Sequence, residues 1–344
     1  MSEIRRDNLC DRWVIFAPRR FEGRNIDEEQ HACPFCPGNE EISEEIFRIT
    51  KNGDRLFKSA KKDHDWVIRV IPNKYPILRI EDDLKKEGVG INDKMKGLGM
   101  HEIIIERQSH FEIWDEDQER ISLLFETIIL RMKDLASDKR FRYLLAFKNY
   151  GSGGNNGVFV SHPHSQLIGF TFIPKEVGVE LDNCMKYYFL KERCLVCDII
   201  IQEENESKSL VLSNENFLAF CPYASRLPFE MMIAPRHNYH SHDFTEITSD
   251  LLKNLASLVS KCIKALYITN GGGFSMIIHT SPLFNSSSKN GYGITIGEDF
   301  HWHIHILPML SSLAGLEIGA GTYVNQVLPE EAAKLLRENI KGGI

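Results

Sequence analysis

The amino-acid sequence predicts an α+β protein made of two tandem, similarly ordered halves, with antiparallel or mixed sheets and flanking helices. Three observations point there. First, one order of features occurs twice. Residues 33–36 read CPFC, followed by WVIRVIPNKYPIL (66–78), GMHEIIIERQSH (99–110), YLLAFKNYG (143–151) and HPHSQ (162–166). Residues 194–197 read CLVC, followed by FLAFCPYASRLPFEMMIAPRHNYHSH (217–242), FSMIIHT (274–280) and HWHIH (301–305). Second, apolar residues alternate over 66–71, 101–106, 143–148, 166–172, 217–220, 229–234, 274–279 and 301–307, the period of a strand with two different faces. Third, 117–135 and 247–267 space their apolar residues as helices do. The halves are expected to divide as 1–178 and 179–344.

The second of these helices is expected to open at Thr245 or Ser249, both capable caps. A last helix is expected over 329–341, with Pro329 in its first turn and Gly342-Gly343 beyond its end. The polar run from Gln202 to Lys208 reads as a surface loop. Two mixed halves of this kind make an α+β fold, and one continuous sheet would satisfy both.

Composition narrows the function. The chain has 344 residues, 42% hydrophobic and 26% charged, ordinary for a globular protein with a sizeable core. A formal charge of −7 argues against a general nucleic-acid binder, which needs a basic surface to displace counterions. A small anionic substrate remains compatible, because Arg19, Arg20 and Arg24 cluster near the N-terminus. Met1 to Asn8 lacks the apolar segment of a signal peptide. No apolar run reaches the roughly 18 residues of a membrane span, so no membrane association is expected and the cytoplasm is the expected location.

Eight cysteines in such a chain are too few for a disulfide scaffold, but four fall in two CxxC pairs, Cys33/Cys36 and Cys194/Cys197. Paired CxxC reads first as metal ligation and second as redox chemistry, and the βαβ setting of a thioredoxin-like motif is missing. Cys10, Cys184, Cys221 and Cys262 read as core or surface thiols.

The segment 149–157, NYGSGGNNG, is rich in glycine, which lets backbone N–H groups approach phosphate oxygens. Shortly after it stands His162-Pro163-His164-Ser165-Gln166. On a strand, residues 162, 164 and 166 share a face, so two imidazoles and one carboxamide converge. A neutral imidazole can attack phosphorus while the amide donates to the nonbridging oxygens as charge builds. The plainer reading is a pair of hydrogen-bonded histidines in a sheet.

On CPFCPGN (33–39), RVIPNKYP (69–76), ERQSH (106–110), HPHSQ, HTSP (279–282) and EIGAGTYVNQVLPEEAAKLLR (317–337), nearly the whole chain resembles the galactose-1-phosphate uridylyltransferase family, a branch of the histidine-triad superfamily. It is also similar to the plant ADP-glucose phosphorylases, which share the paired CxxC. The resemblance implies two histidine-triad-like halves and ping-pong transfer of UMP from UDP-glucose to galactose 1-phosphate. His164 would be the nucleophile and Gln166 the hydrogen-bond partner of the transferred phosphoryl group; simple histidine-triad hydrolases carry a third His there. Asn73, Asn149 and Ser161 match nucleotide or phosphate contacts, as do Arg20 and Arg24 with a different spacing, and Glu317 and Asn325 match contacts to hexose hydroxyls. A zinc ion is implied at Cys33, Cys36, His110 and His162. A second metal site follows one of two patterns: Cys194, Cys197, His240 and His301 as in the plant phosphorylases, which we favour, or Glu180, His279, His303 and His305. His31, His64, His237 and His242 are left as surface histidines and His101 as a core one. Family members are commonly homodimers.

Two rival readings stand beside this one. His-Trp-His-Ile-His-Ile-Leu over 301–307 fits the histidine-triad hydrolase pattern with His303 as nucleophile, although only the weaker glycine segment 291–297 precedes it. A zinc-stabilised nucleotide-binding protein without turnover would keep the metal ligands and lose the reacting set, whereas His164 and Gln166 are both present.

Overall fold

The computed structural model describes residues 2–18, 33–39, 44–58, 63–81, 83–110, 118–151, 160–271, 273–284, 293–310 and 314–342. Its elements run β1 (Glu3–Asp7), β2 (Arg12–Phe16), β3 (Phe47–Ile49), β4 (Arg55–Phe57), β5 (Ile68–Pro72), β6 (Lys86–Val89), β7 (Asn92–Lys96), β8 (Gly99–Ile105), α1 (Gln118–Leu135), β9 (Tyr143–Tyr150) and β10 (His164–Phe170). Then follow α2 (Lys175–Lys191), α3 (Leu195–Glu206), β11 (Leu210–Ser213), β12 (Phe217–Phe220), β13 (Met231–Pro235), α4 (Ser249–Asn270), β14 (Phe274–His279), α5 (Ile296–Asp299), β15 (His303–Pro308), α6 (Gly315–Ala320) and α7 (Pro329–Gly342).

Eleven strands form one antiparallel sheet in the order β11-β12-β13-β15-β14-β9-β10-β8-β5-β3-β4, and β2-β1-β7-β6 form a second. Outward from the β9–β14 seam, the order is β9-β10-β8-β5 on one side and β14-β15-β13-β12 on the other. In each direction one long helix joins equivalent strands: α1 between β8 and β9, α4 between β13 and β14. The protein is therefore a mixed α+β fold with antiparallel sheets, as the sequence predicts.

The two-residue period of the strands sorts side chains into separate cores. Leu144, Ala146, Leu167, Phe217 and Ala219 face α1, α4 and α7, while Tyr143, Ile168, Phe170, Leu218 and Phe220 face α2 and α3. A third cluster joins Phe35 and Trp66 to Ile71, Ile103 and Ile105. Close strand approach requires glycine at one place: a Cβ on Gly99 would sit 2.5 Å from the Gly169 carbonyl oxygen and from Leu78. The helix face of β8 also carries charge. Glu102 receives both Nε and Nη2 of Arg131 from α1, at 2.9 and 2.7 Å, and both side chains are buried.

Several sequence expectations need correction. The long helix of the second half begins at Ser249 after Thr248, and neither Thr245 nor Ser249 is its cap residue. Thr245 instead donates its N–H to Asp243, which opens the preceding short turn. Most of the expected loop 202–208 is helical, since Val196, Ile200 and Glu203 line the buried side of α3 and Glu203 accepts a hydrogen bond from Ser209. Helices α2 and α3 and strands β1, β2, β6 and β7 have no counterpart among the sequence expectations. No helix among the described residues is long and apolar enough to cross a membrane.

Removing one member of a buried, bidentate ion pair leaves the other charge uncompensated, at about 3–5 kcal/mol. Arg131→Met should therefore lower the unfolding free energy by about that amount in urea denaturation; a loss below about 1 kcal/mol would show that α1 does not depend on the Glu102 anchor.

Candidate active site and metal clusters

The first strand residue of β10 is His164, and its side chain, with that of Gln166, stands on the face away from α1. Pairing of His164 with Ile105 and Gln166 with Ile103 places these side chains beside the Phe35–Trp66 cluster. His164 Nδ1 lies 2.8 Å from the carbonyl oxygen of His162. A carbonyl only accepts, so Nδ1 carries the proton and the Nε2 lone pair is left for an electrophile. The Phe35 ring meets His164 edge-on at 5.4 Å and His162 at 6.0 Å. Burial pushes the His164 pKa below the usual imidazole value, and the nearby Lys148 ammonium pushes it the same way, so the ring stays neutral.

Beneath the strand, on its other face, Lys148 and Glu106 form a buried ion pair at 2.9 Å, and the Ser165 hydroxyl donates to the second Glu106 oxygen at 2.6 Å. Sequence reasoning misses these groups. Alternation gives the available signal, since Ser165 must face opposite to His164 and Gln166 and needs a polar partner if buried. On the reactive face, the β9–β10 register of Gln166 with Phe147, carried two residues on, sets Asn149 across from His164. Asn149 Oδ1 also accepts from Ser275 across the β9–β14 seam. Asn73 follows β5 and approaches Gln166 through His101. Ser161 is exposed just ahead of His162. Arg20, Arg24 and residues 152–157 of the glycine-rich segment lie outside the described residues.

Other predicted contacts are committed locally. Glu317 accepts the N–H of Ala314 at the start of α6, and Asn325 donates to the Ser225 carbonyl while accepting from Val327 N–H. Neither has a described bond to the His164 cluster.

All three expected ligand sets assemble as separate clusters: Cys33/Cys36/His110/His162, Cys194/Cys197/His240/His301, and Glu180/His279/His303/His305. Within each, the ligand atoms lie within 4.8 Å of one another. The second and third sets, alternatives in the sequence, thus coexist. In the first cluster Cys33 and Cys36 Sγ are each 3.6 Å from His162 Nδ1, and Cys36 is 3.3 Å from His110 Nε2. A tetrahedral zinc site with ordinary bond lengths separates S and N by about 3.6 Å, so the donor set fits that ion. His162 Nε2 donates to the Arg107 carbonyl at 2.7 Å, which turns the Nδ1 lone pair to the thiols. The second cluster repeats this: Cys197 is 3.2 Å from His240 Nδ1 and 3.3 Å from His301 Nδ1, and His240 Nε2 donates to the Gly297 carbonyl. Cys194 is pulled well down by the S–H of Cys197 and then by His240 and His301, while the same contact pushes Cys197 up.

The third cluster bears on the rival reading of 301–307. His303 Nδ1 donates to the His301 carbonyl, as His164 does to His162, but its Nε2 is 3.1 Å from Glu180 Oε1 and the residue is buried. Burial disfavours its charge, but Glu180 outweighs that and raises the pKa. Glu180 is held charged, well below the usual carboxylate range, against its own burial by His303, His279 and His305. Burial pushes His305 down to about 3. His303 therefore has both nitrogens engaged, one of them in a salt bridge, whereas His164 Nε2 has no hydrogen-bond partner among the described residues.

Comparison with known proteins supplies the family. The C-terminal domain pattern of galactose-1-phosphate uridyl transferase matches residues 180–341. The chain is 32% identical to an Arabidopsis thaliana protein named ADP-glucose phosphorylase, over 98% of this chain and 92% of that one. It is 28% identical to the galactose-1-phosphate uridylyltransferase of Thermotoga maritima, over 98% of both. The crystal structure of the Arabidopsis phosphorylase with bound ADP-glucose superposes with a TM-score of 0.73 at 28% identity, covering 98% of each chain. Fold and full-length relatives together define an enzyme of the uridylyltransferase class. The chain belongs to the galactose-1-phosphate uridylyltransferase family.

Because burial and Lys148 both disfavour the imidazolium, His164 should stay neutral below the usual pKa of 6.5. An NMR titration of the histidine rings should give it a midpoint under that value; a midpoint at or above it would contradict the assigned environment.

Proposed function

We propose that the chain is a nucleotidylyl transferase that moves UMP from UDP-glucose to galactose 1-phosphate. The observation that carries this reading is the hydrogen bond from His164 Nδ1 to the His162 carbonyl. It leaves the neutral Nε2 lone pair on the face shared with Gln166. Nε2 attacks the α-phosphorus, the bond from that phosphorus to the bridging oxygen breaks, and glucose 1-phosphate departs with the electron pair. A phosphate oxygen of galactose 1-phosphate then attacks the uridylyl-His164, the P–N bond breaks, and UDP-galactose leaves. Gln166 donates to the nonbridging oxygens as charge accumulates on them. A Gln at this place, where simple hydrolases carry a third His, favours a sugar phosphate over water as acceptor.

Zinc suits the two Cys₂His₂ clusters, where it would fix geometry rather than take part in transfer. Cys33, Cys36, His110 and His162 would then brace the segment that holds the nucleophile, and Cys194, Cys197, His240 and His301 would hold α3 to β15. In this reading Asn73, Asn149, Ser161, Arg20 and Arg24 serve the nucleotide and its phosphates, and Glu317 and Asn325 the hexose. The functional division falls at 178/179, and the enzyme works as a cytoplasmic homodimer.

One observation favours a second reading, an ADP-sugar phosphorylase in which AMP replaces UMP and inorganic phosphate replaces the hexose phosphate. The cysteine-based second cluster is fully assembled, and the Arabidopsis phosphorylase is 32% identical along the chain.

Product analysis across UDP-glucose and ADP-glucose, each with galactose 1-phosphate or phosphate, separates the two. The proposal expects UDP-galactose to form fastest, a loss of more than about a thousandfold in His164→Ala, and about two zinc ions per chain by elemental analysis. Faster phosphorolysis of ADP-glucose would establish the second reading, and no exchange in any arm would leave a binding protein.

A further inference from the structure

His101 is a buried titratable group that the transfer chemistry does not yet use. It lies in β8, directly across from Ile168 of β10, and so on the same sheet face as Gln166 one diagonal step away. His101 Nε2 lies 2.8 Å from Gln166 Oε1. We infer that His101 is a positioning residue for nucleotidylyl transfer: its imidazole fixes which end of the Gln166 carboxamide faces the phosphoryl group. This inference rests on the reading of Gln166 given above.

Hydrogen-bond polarity decides the orientation. The two ends of a carboxamide have nearly the same shape, so the surrounding donors and acceptors choose between them. Phosphoryl oxygens accept, so Gln166 is useful only with its NH₂ turned to the substrate. Backbone amides set the direction of the chain behind it, because an N–H can only donate. The N–H of Ile77 reaches His101 Nδ1 at 3.4 Å, which makes Nδ1 the acceptor and Nε2 the protonated nitrogen of the neutral ring. Nε2–H then donates to Gln166 Oε1 and points the Gln166 NH₂ outward.

Asn73 sharpens the assignment. Its Oδ1 accepts the N–H of Tyr75 at 2.9 Å, and its Nδ2 lies 3.1 Å from the same His101 Nε2. One imidazole nitrogen cannot donate to Gln166 and accept from Asn73 together, so the two carboxamides compete for it. With Nε2 protonated, its proton goes to Gln166 Oε1, while the Asn73 side chain stays turned by the Tyr75 N–H. His101 thereby links a residue matched to nucleotide contact with the residue matched to phosphoryl contact.

Steady-state kinetics on the full chain test this with His101→Ala, Gln166→Ala and the double variant. Misorienting a preorganised donor should lower kcat about 10- to 100-fold in His101→Ala, with the KM for UDP-glucose changed less than about twofold. The double variant should be no slower than Gln166→Ala, because His101 acts through Gln166. His101→Gln, whose NH₂ reaches a similar point, should recover to within about fivefold of the unaltered chain. Losses that multiply in the double variant, or an unchanged kcat in His101→Ala, would overturn the inference. Nitrogen-15 NMR of the histidine-labelled chain reports the tautomer whether or not transfer is seen: Nε2 protonated is expected, and an Nδ1-protonated His101 would overturn the inference. A wild-type chain that transfers nothing would instead sink the functional reading.

Discussion

The hydrogen bond from His164 Nδ1 to the carbonyl of His162 is the constraint on which the rest of the site depends. It uses backbone rather than a side-chain partner, so its geometry is fixed by the turn into β10. The same His162 whose carbonyl accepts that proton offers its own Nδ1 to Cys33 and Cys36. Anything that holds His162 therefore holds His164, and the CPFC segment extends the grip through Phe35, which meets both rings. On the other face, the buried Glu106–Lys148 pair and Ser165 fix the next residue of the strand. His164, the proposed nucleophile, is thus set by its neighbours on either side, which suits a reaction that rewards preorganisation.

The second half shows what the same constraint does in a different setting. His301, His303 and His305, at and just ahead of β15, correspond to His162, His164 and Gln166, and His303 makes the equivalent bond to the His301 carbonyl. There the resemblance in chemistry ends. Glu180, near the start of α2, takes the Nε2 that would react and meets all three imidazoles of that cluster. In the proposed function, one carboxylate from a helix that follows β10 in the chain thereby separates the reacting histidine from its counterpart. The coexistence of a Cys₂His₂ cluster and a Glu-His₃ cluster around one strand follows from the two-residue step between His301, His303 and His305.

Features that repeat locally are legible in the amino-acid sequence. The period-two pattern locates eight strands of the main sheet, and His-x-His-x-Gln announces convergence on one face. The candidate metal ligands are legible only in part, since CxxC shows spacing while His110, His162, His240 and His301 are recruited from distant segments. The sequence marks His101 as buried but not as a partner of Gln166, because that contact depends on the β8–β10 register across 65 residues of chain. Helices α2 and α3 escape because their buried stripes are narrow: Val177, Leu181 and Cys184 in one, and Val196, Ile200 and Glu203 in the other. Glu203, a buried acid in such a stripe, makes a helix look like a solvated loop.

The central claim is that His164, rather than His303, becomes covalently modified. The direct measurement is rapid acid-free quenching of the chain with UDP-glucose in the absence of acceptor, followed by peptide mapping by mass spectrometry. A uridylyl adduct confined to the peptide that carries His164 is the predicted result. An adduct on the peptide that carries His303, or turnover with no adduct on His164, would contradict it.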